Sequence, residues 1–125
     1  MPVAELRIPP APEHVRTARL VAGAAARRIG LAEETLDEVR LAIGEAAARS
    51  VVRHQLAAPD TDVLIEMRDG DGNFTVDVHD HTPADETNTD DDMALAVITA
   101  LVPNSEIRAE GPGCVIHMSW PVPAK

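Results

Sequence analysis

Glu45 and Arg49 stand one helical turn apart, and His79, Asp80 and His81 run consecutively; these side chains have the types and spacing for chemistry. A carboxylate and a guanidinium at i and i+4 favour an ion pair, and Arg49, a fixed cation, cannot ligate a metal. The His-Asp-His run invites a metal site. On a strand, however, Asp80 faces one way and His79 and His81 the other, so the two histidines read as solvent-side surface and no metal is expected. Asp69, Asp71 and Asn73 imitate the opening of an EF-hand calcium loop. That loop needs glycine at its sixth position, where this chain has Phe74, and helices on either side, so a calcium site is rejected. The remaining acids are concentrated in residues 81–92, HTPADETNTDDD.

Glu45 and Arg49 belong to a long helical segment, residues 36–54. Leu36, Val39, Ile43, Ala46, Ala47, Ser50 and Val51 recur at spacings of three and four, the stripe of a helix laid on a core. Leu41, Ala48 and Val52 draw a second apolar line on nearly the opposite side, and Glu45 and Arg49 sit within it. A helix apolar on two sides is expected to be sandwiched between layers, with Glu45 looking into a partly enclosed space.

Upstream, residues 3–8 read as a short edge strand ending at Pro9-Pro10. Val15, Ala18, Ala22, Ala25, Ala26 and Ile29 then mark a helix that Gly30 stops. Arg16, Arg19, Arg27 and Arg28 lie off its apolar stripe, as a solvated face or a docking face for an acidic partner. Glu33, Glu34, Asp37 and Glu38 suit the positive end of the long helix.

Downstream, Val63, Ile65 and Met67 alternate, as do Phe74, Val76 and Val78, about a turn at residues 69–73, which predicts a hairpin. The same parity carries Asp80 to the rim of the core, facing the long helix. Residues 81–92 read as a polar loop, 93–102 as a third helix, and 106–110 and 114–120 as final strands. The order predicts an α+β two-layer sandwich, a mostly antiparallel sheet of about five strands with three helices on one face.

At 125 residues the chain is expected to form one domain, 1–125. A formal charge of −10 disfavours sequence-independent binding to nucleic acid or to anionic membranes. With one Phe, one Trp and no Tyr, the core must be built from small aliphatic side chains. The single Cys114 excludes an internal disulfide. No apolar run reaches membrane-span length and the start has no signal-peptide core, so a cytoplasmic protein is expected.

A helical carboxylate followed by a strand-end aspartate, in this order of elements, resembles the GHKL (histidine kinase-like) ATPase superfamily. Within it the chain is most similar to the small bacterial anti-sigma factor serine kinases. LAIGEAAARSVVRH resembles the helix of the first ATP motif, VDVHDHTPA the second, and DDDMALAVITALV the third. The resemblance implies that Glu45 is the acid that orients water or the attacking group, and that Asp80 reads the adenine amino group. It also places a degenerate nucleotide pocket at Glu45, Arg49, Asp80, Thr82, Ala84, Asp92 and Ala94.

The departures weigh against nucleotide. The magnesium-holding Asn of the family is Arg49 here. The two glycines after the aspartate are Thr82 and Ala84, with Pro83 between them, and the glycines of the third motif give way to the run Asp90, Asp91, Asp92, Met93, Ala94. Added side chains obstruct the close approach of backbone to phosphate. The acids Asp85, Glu86, Asp90, Asp91 and Asp92 repel it, each like-charge pair at ~7 Å costing about 0.6 kcal/mol even in water.

The resemblance therefore implies a degenerate regulatory protein without catalytic residues, Glu45 being vestigial. It would act by partner switching, on a sigma factor or an anti-sigma antagonist, through Asp85, Glu86, Asp90, Asp91 and Asp92. No cofactor and no direct contact with nucleic acid or membrane are expected, and a homodimer is left open. The alternative is an active ATP-dependent serine/threonine kinase with unusual ligands, using ATP and magnesium.

Overall fold

A computed structural model of the chain describes residues 2–82, 89–111 and 113–123. Five strands make one antiparallel sheet: β1 (Pro2–Ile8), β2 (Val63–Gly70), β3 (Asn73–Asp80), β4 (Ser105–Glu110) and β5 (Gly113–Pro121). Their spatial order is β1-β2-β3-β5-β4. Three helices, α1 (Glu13–Ile29), α2 (Glu33–Ala57) and α3 (Thr89–Leu101), form the second layer of this α+β sandwich. The central one, α2, packs against α1, α3, β2 and β3.

Alternation along each strand builds the core. Val63, Ile65 and Met67 of β2, Phe74, Val76 and Val78 of β3, and Ile116, Met118 and Trp120 of β5 are buried against the helices. They meet Leu36, Val39, Ile43, Ala46, Ala47 and Val51 of α2, while Ala18, Ala22 and Ala26 let α1 lie close. Each large side chain buried this way contributes about 1.5–3 kcal/mol. The β2–β3 hairpin turns on Asp71 and Gly72, both at positive φ (54° and 76°), the geometry of a two-residue turn whose twist matches the strands. That turn fixes the register, and the register leaves Asp80 on the helix side, opposite Cys114 of β5.

Two expectations are corrected here. The second apolar line of α2 is not enclosed between layers: Leu41 is 54% and Val52 49% exposed. Also, α3 begins at Thr89, so Asp90, Asp91 and Asp92 belong to its first turn rather than to a loop. Acidic residues are in general favoured in a helix's first turn by its positive end, despite their poor helix propensity.

The sheet face away from the helices is polar but not merely solvated. His79 donates from Nε2 to Glu66 at 2.6 Å and from Nδ1 to Glu110 at 2.7 Å, joining β2, β3 and β4. Beside it His117 meets Asp77 at 2.6 Å, and Arg68 meets Glu66 at 3.0 Å. Reading His79 as plain surface was therefore incomplete. Both its nitrogens face ionised acceptors, so both bonds exist only in the imidazolium.

Partial burial lowers the pKa of His79, and the Glu110 and Glu66 bonds outweigh it, so the net shift is upward from 6.5. A raised folded pKa gives stability that is fully present below the unfolded value and lost as pH rises through the folded one. The unfolding midpoint of the wild type, measured relative to His79→Gln, should fall as pH rises from below 6.5 into the alkaline range. A difference that stays flat with pH would show that the clamp is not charged.

Candidate functional site

The C-terminal half of α2 runs over the end of β3, and four side chains converge there on Asp80. The Asp80 carboxylate is fully enclosed, and the side chains of Arg49 and Arg53 are 7% and 6% exposed. Arg53 donates from Nε to Oδ2 at 2.6 Å, and Arg49 donates from Nη1 to the same oxygen at 3.5 Å. On the other oxygen, Oδ1, the Thr82 backbone N–H donates at 2.8 Å and its hydroxyl donates as well. Charge-assisted bonds of this kind are short and roughly twice as strong as neutral ones.

His54 closes the cluster. Its Nδ1 lies 2.8 Å from the Thr61 carbonyl, which only accepts, so the hydrogen sits on Nδ1. Nε2 then accepts the His81 backbone N–H at 3.1 Å and lies 3.7 Å from Asp80 without donating to it. The histidine ties the end of α2 to both ends of the β2–β3 hairpin. Nearby, Cys114 Sγ lies 4.0 Å from Arg49 Nη1.

The sequence-derived site is thus brought together only in part. Asp80, Arg49 and Thr82 meet. Glu45 does not join them: it is exposed, has no ion-pair partner among the described residues, and lines the groove between α1 and α2 with Val15, Arg19, Arg40, Leu41 and Gly44. The expected Glu45–Arg49 pair is replaced by Arg49–Asp80, because an enclosed carboxylate binds a guanidinium more strongly than a solvated one does. Ala94 is half-buried in α3. Ala84, Asp85 and Glu86 lie outside the described residues, and of Asp90, Asp91 and Asp92 only the helical backbone is described.

Arg53 and His54 were missed from the sequence. A signal existed for Arg53, since Glu45, Arg49 and Arg53 repeat at four-residue spacing. For His54 there was none, since its partners come from two other segments. Among the described residues, no group of three or more His, Cys, Asp or Glu is placed to hold a metal ion, and no helix is long and apolar enough to cross a membrane.

A second polar feature lies on the α1–α2 groove. The stem of Arg40 crosses Gly23 of α1, where a Cβ would come within 2.8 Å of Nε. Reciprocally, the stem of Arg19 crosses Gly44 of α2, where a Cβ would meet Cδ at 3.0 Å. Each glycine gives room for the opposite arginine, and Arg16 and the exposed Leu20 and Leu41 flank the pair.

The family model for the histidine kinase-like ATPase domain matches residues 8–120. No curated protein sequence matches the chain. Among solved structures, the crystal structure of the RsbU and RsbW domains of Rv1364c from Mycobacterium tuberculosis superposes with a TM-score of 0.73 at 21% identity, covering 98% of this chain. The match spans 33% of that longer chain.

Proposed function

We propose, on the premise that this chain belongs to the histidine kinase-like ATPase domain family, that it is a regulatory member acting by protein contact, without nucleotide. The observation that carries this reading is the saturation of Asp80. An ionised carboxylate offers about four acceptor positions. Arg53, Arg49, the Thr82 N–H and the Thr82 hydroxyl address all of them from within the chain. The residue that would read an adenine amino group has no position left for it. The absence of glycine at Thr82 and Ala84, and the cation at Arg49 in place of a metal ligand, point the same way.

The partner we infer is a protein of the sigma-factor or anti-sigma-antagonist type, a class suggested by the anti-sigma kinase resemblance and consistent with a neighbour whose name joins RsbU and RsbW domains. Two surfaces of opposite charge are available to it. The acidic segment with Asp85, Glu86, Asp90, Asp91 and Asp92 suits a basic partner, and the Arg16–Arg19–Arg40 groove suits an acidic one.

Neutralising Asp90, Asp91 and Asp92 together to Asn should slow association and flatten its salt dependence while the fold persists. If affinity ignores that change, the groove variants Arg19→Ala and Arg40→Ala are the next to measure. The reading itself is tested by mixing the chain with a purified partner of this class, with and without ATP. A complex should form equally in both cases, with no phosphate appearing on the partner. Transfer of phosphate to a partner serine would replace this proposal with the active-kinase reading.

A further inference from the structure

We propose that the hollow at Arg16, Arg19 and Arg40, between α1 and α2, binds a phosphoryl group, the head of a small phosphomonoester. The site is independent of the function proposed above, because none of its residues belongs to the Asp80 cluster. The chain carries ten arginines. Seven of them are ion-paired to acids of the chain itself. The other three, Arg16, Arg19 and Arg28, have no ion-pair partner among the described residues. Arg16 and Arg19 line one hollow of about 200 Å³ together with Leu20 and Arg40. In a molecule of charge −10, acids to pair them are plentiful. Unpaired cations that share a hollow repel one another, and a bound anion relieves that repulsion.

Two of the guanidiniums are positioned as well as exposed. Arg19 and Gly23 of α1 stand one turn apart, as do Arg40 and Gly44 of α2. The helices run in opposite directions, so each arginine crosses the glycine of the other helix. Laying both stems along the groove this way reduces the freedom they would lose on gripping a ligand.

Charge and shape choose the anion. Arg40 also meets Asp37 at 3.1 Å, which leaves roughly two positive charges in excess, close to the −1.5 to −2 of a phosphomonoester. A phosphoryl group offers three acceptor oxygens to three guanidinium forks, whereas one carboxylate has two oxygens and a single charge. Glu45 lines the adjoining hollow with Val15 and Leu41, and its charge confines the anion to the Arg16 side. Leu20, 58% exposed, supports a small apolar body on the ligand. Magnesium-loaded ATP does not fill the site, since the cation clasps its terminal phosphates.

The test is calorimetric titration of the full chain with inorganic phosphate and with phenyl phosphate, at an ionic strength fixed with sodium chloride. Both should bind saturably, phenyl phosphate more tightly. Arg16→Ala and Arg19→Ala should each weaken binding about tenfold or more, as expected for a hydrogen bond to a charged group. Arg28→Ala makes the same change in net charge outside the hollow and should stay within about twofold of wild type, because salt screens distant charges. Gly23→Ala alters no charge, but its methyl would come within 2.8 Å of Arg40 Nε and displace that side chain. It should weaken binding several-fold while circular dichroism shows the fold unchanged. No saturable binding of either probe, equal losses for Arg28→Ala and Arg16→Ala, or wild-type affinity in Gly23→Ala overturns the proposal. So does a glutamate-rich peptide without phosphate that binds as tightly as phenyl phosphate, which would give the groove to carboxylates. Any of these failures leaves the reading of the Asp80 cluster standing.

Discussion

Asp80→Asn is expected to lower the stability of the protein by about 3–5 kcal/mol, the usual cost of removing one member of a buried, hydrogen-bonded charge cluster. The substitution keeps the shape of the side chain but removes the charge to which two enclosed guanidiniums are bonded, at 2.6 and 3.5 Å. It also puts an amide donor where Thr82 now donates to a carboxylate oxygen. Domains have only about 5–15 kcal/mol in total, so the loss would be visible as a lower urea midpoint at an unchanged slope. Glu45→Gln, by contrast, should stay within about 0.5 kcal/mol of wild type, since Glu45 is exposed and has no ion-pair partner among the described residues. If Asp80 were kept for a ligand rather than for the fold, the two variants would show similar, small changes.

Titration with magnesium and millimolar ATP is expected to give no saturable heat and no rise in melting temperature. A pocket that bound ATP, with nucleotide at a hundred times its dissociation constant, would gain about 2.7 kcal/mol. For a domain of this size such a gain means a shift of many degrees, which is hard to miss. The sharper part of the prediction is that Arg49→Asn, which reinstates the family's residue, should not restore binding. Arg53 still holds Asp80 at 2.6 Å, and Thr82 still occupies its other oxygen. A saturable isotherm for the wild type would sink the non-nucleotide reading. One for Arg49→Asn alone would show that a single side chain, not the whole cluster, closes the pocket.

Much of the architecture was legible along the chain. Period-two alternation in Phe74, Val76 and Val78 placed Asp80 on the inner face, and it is there at 2% exposure. The glycines and acids of residues 69–73 announced a hairpin turn, which the structure narrows to Asp71 and Gly72, and the stripe from Leu36 to Val51 is buried as read. These features are local: a strand has a repeat of two and a helix of 3.6, and both are written in neighbouring residues. The start of α3 was not legible, because acids at a helix N-terminus look like the acids of a loop until the following turn is seen to continue them.

What meets Asp80 was decided by tertiary structure. Glu45, Arg49 and Arg53 repeat every four residues and look equivalent in sequence, but four residues overshoot a helical turn by about 40°. The line therefore rotates by about 80° from Glu45 to Arg53. Its first member opens onto the α1 groove, while its last lies under α2 against the end of β3. Which end of that rotating line faces the sheet depends on how α2 sits across β3, a packing choice made by the whole core and recorded in no single stretch of residues.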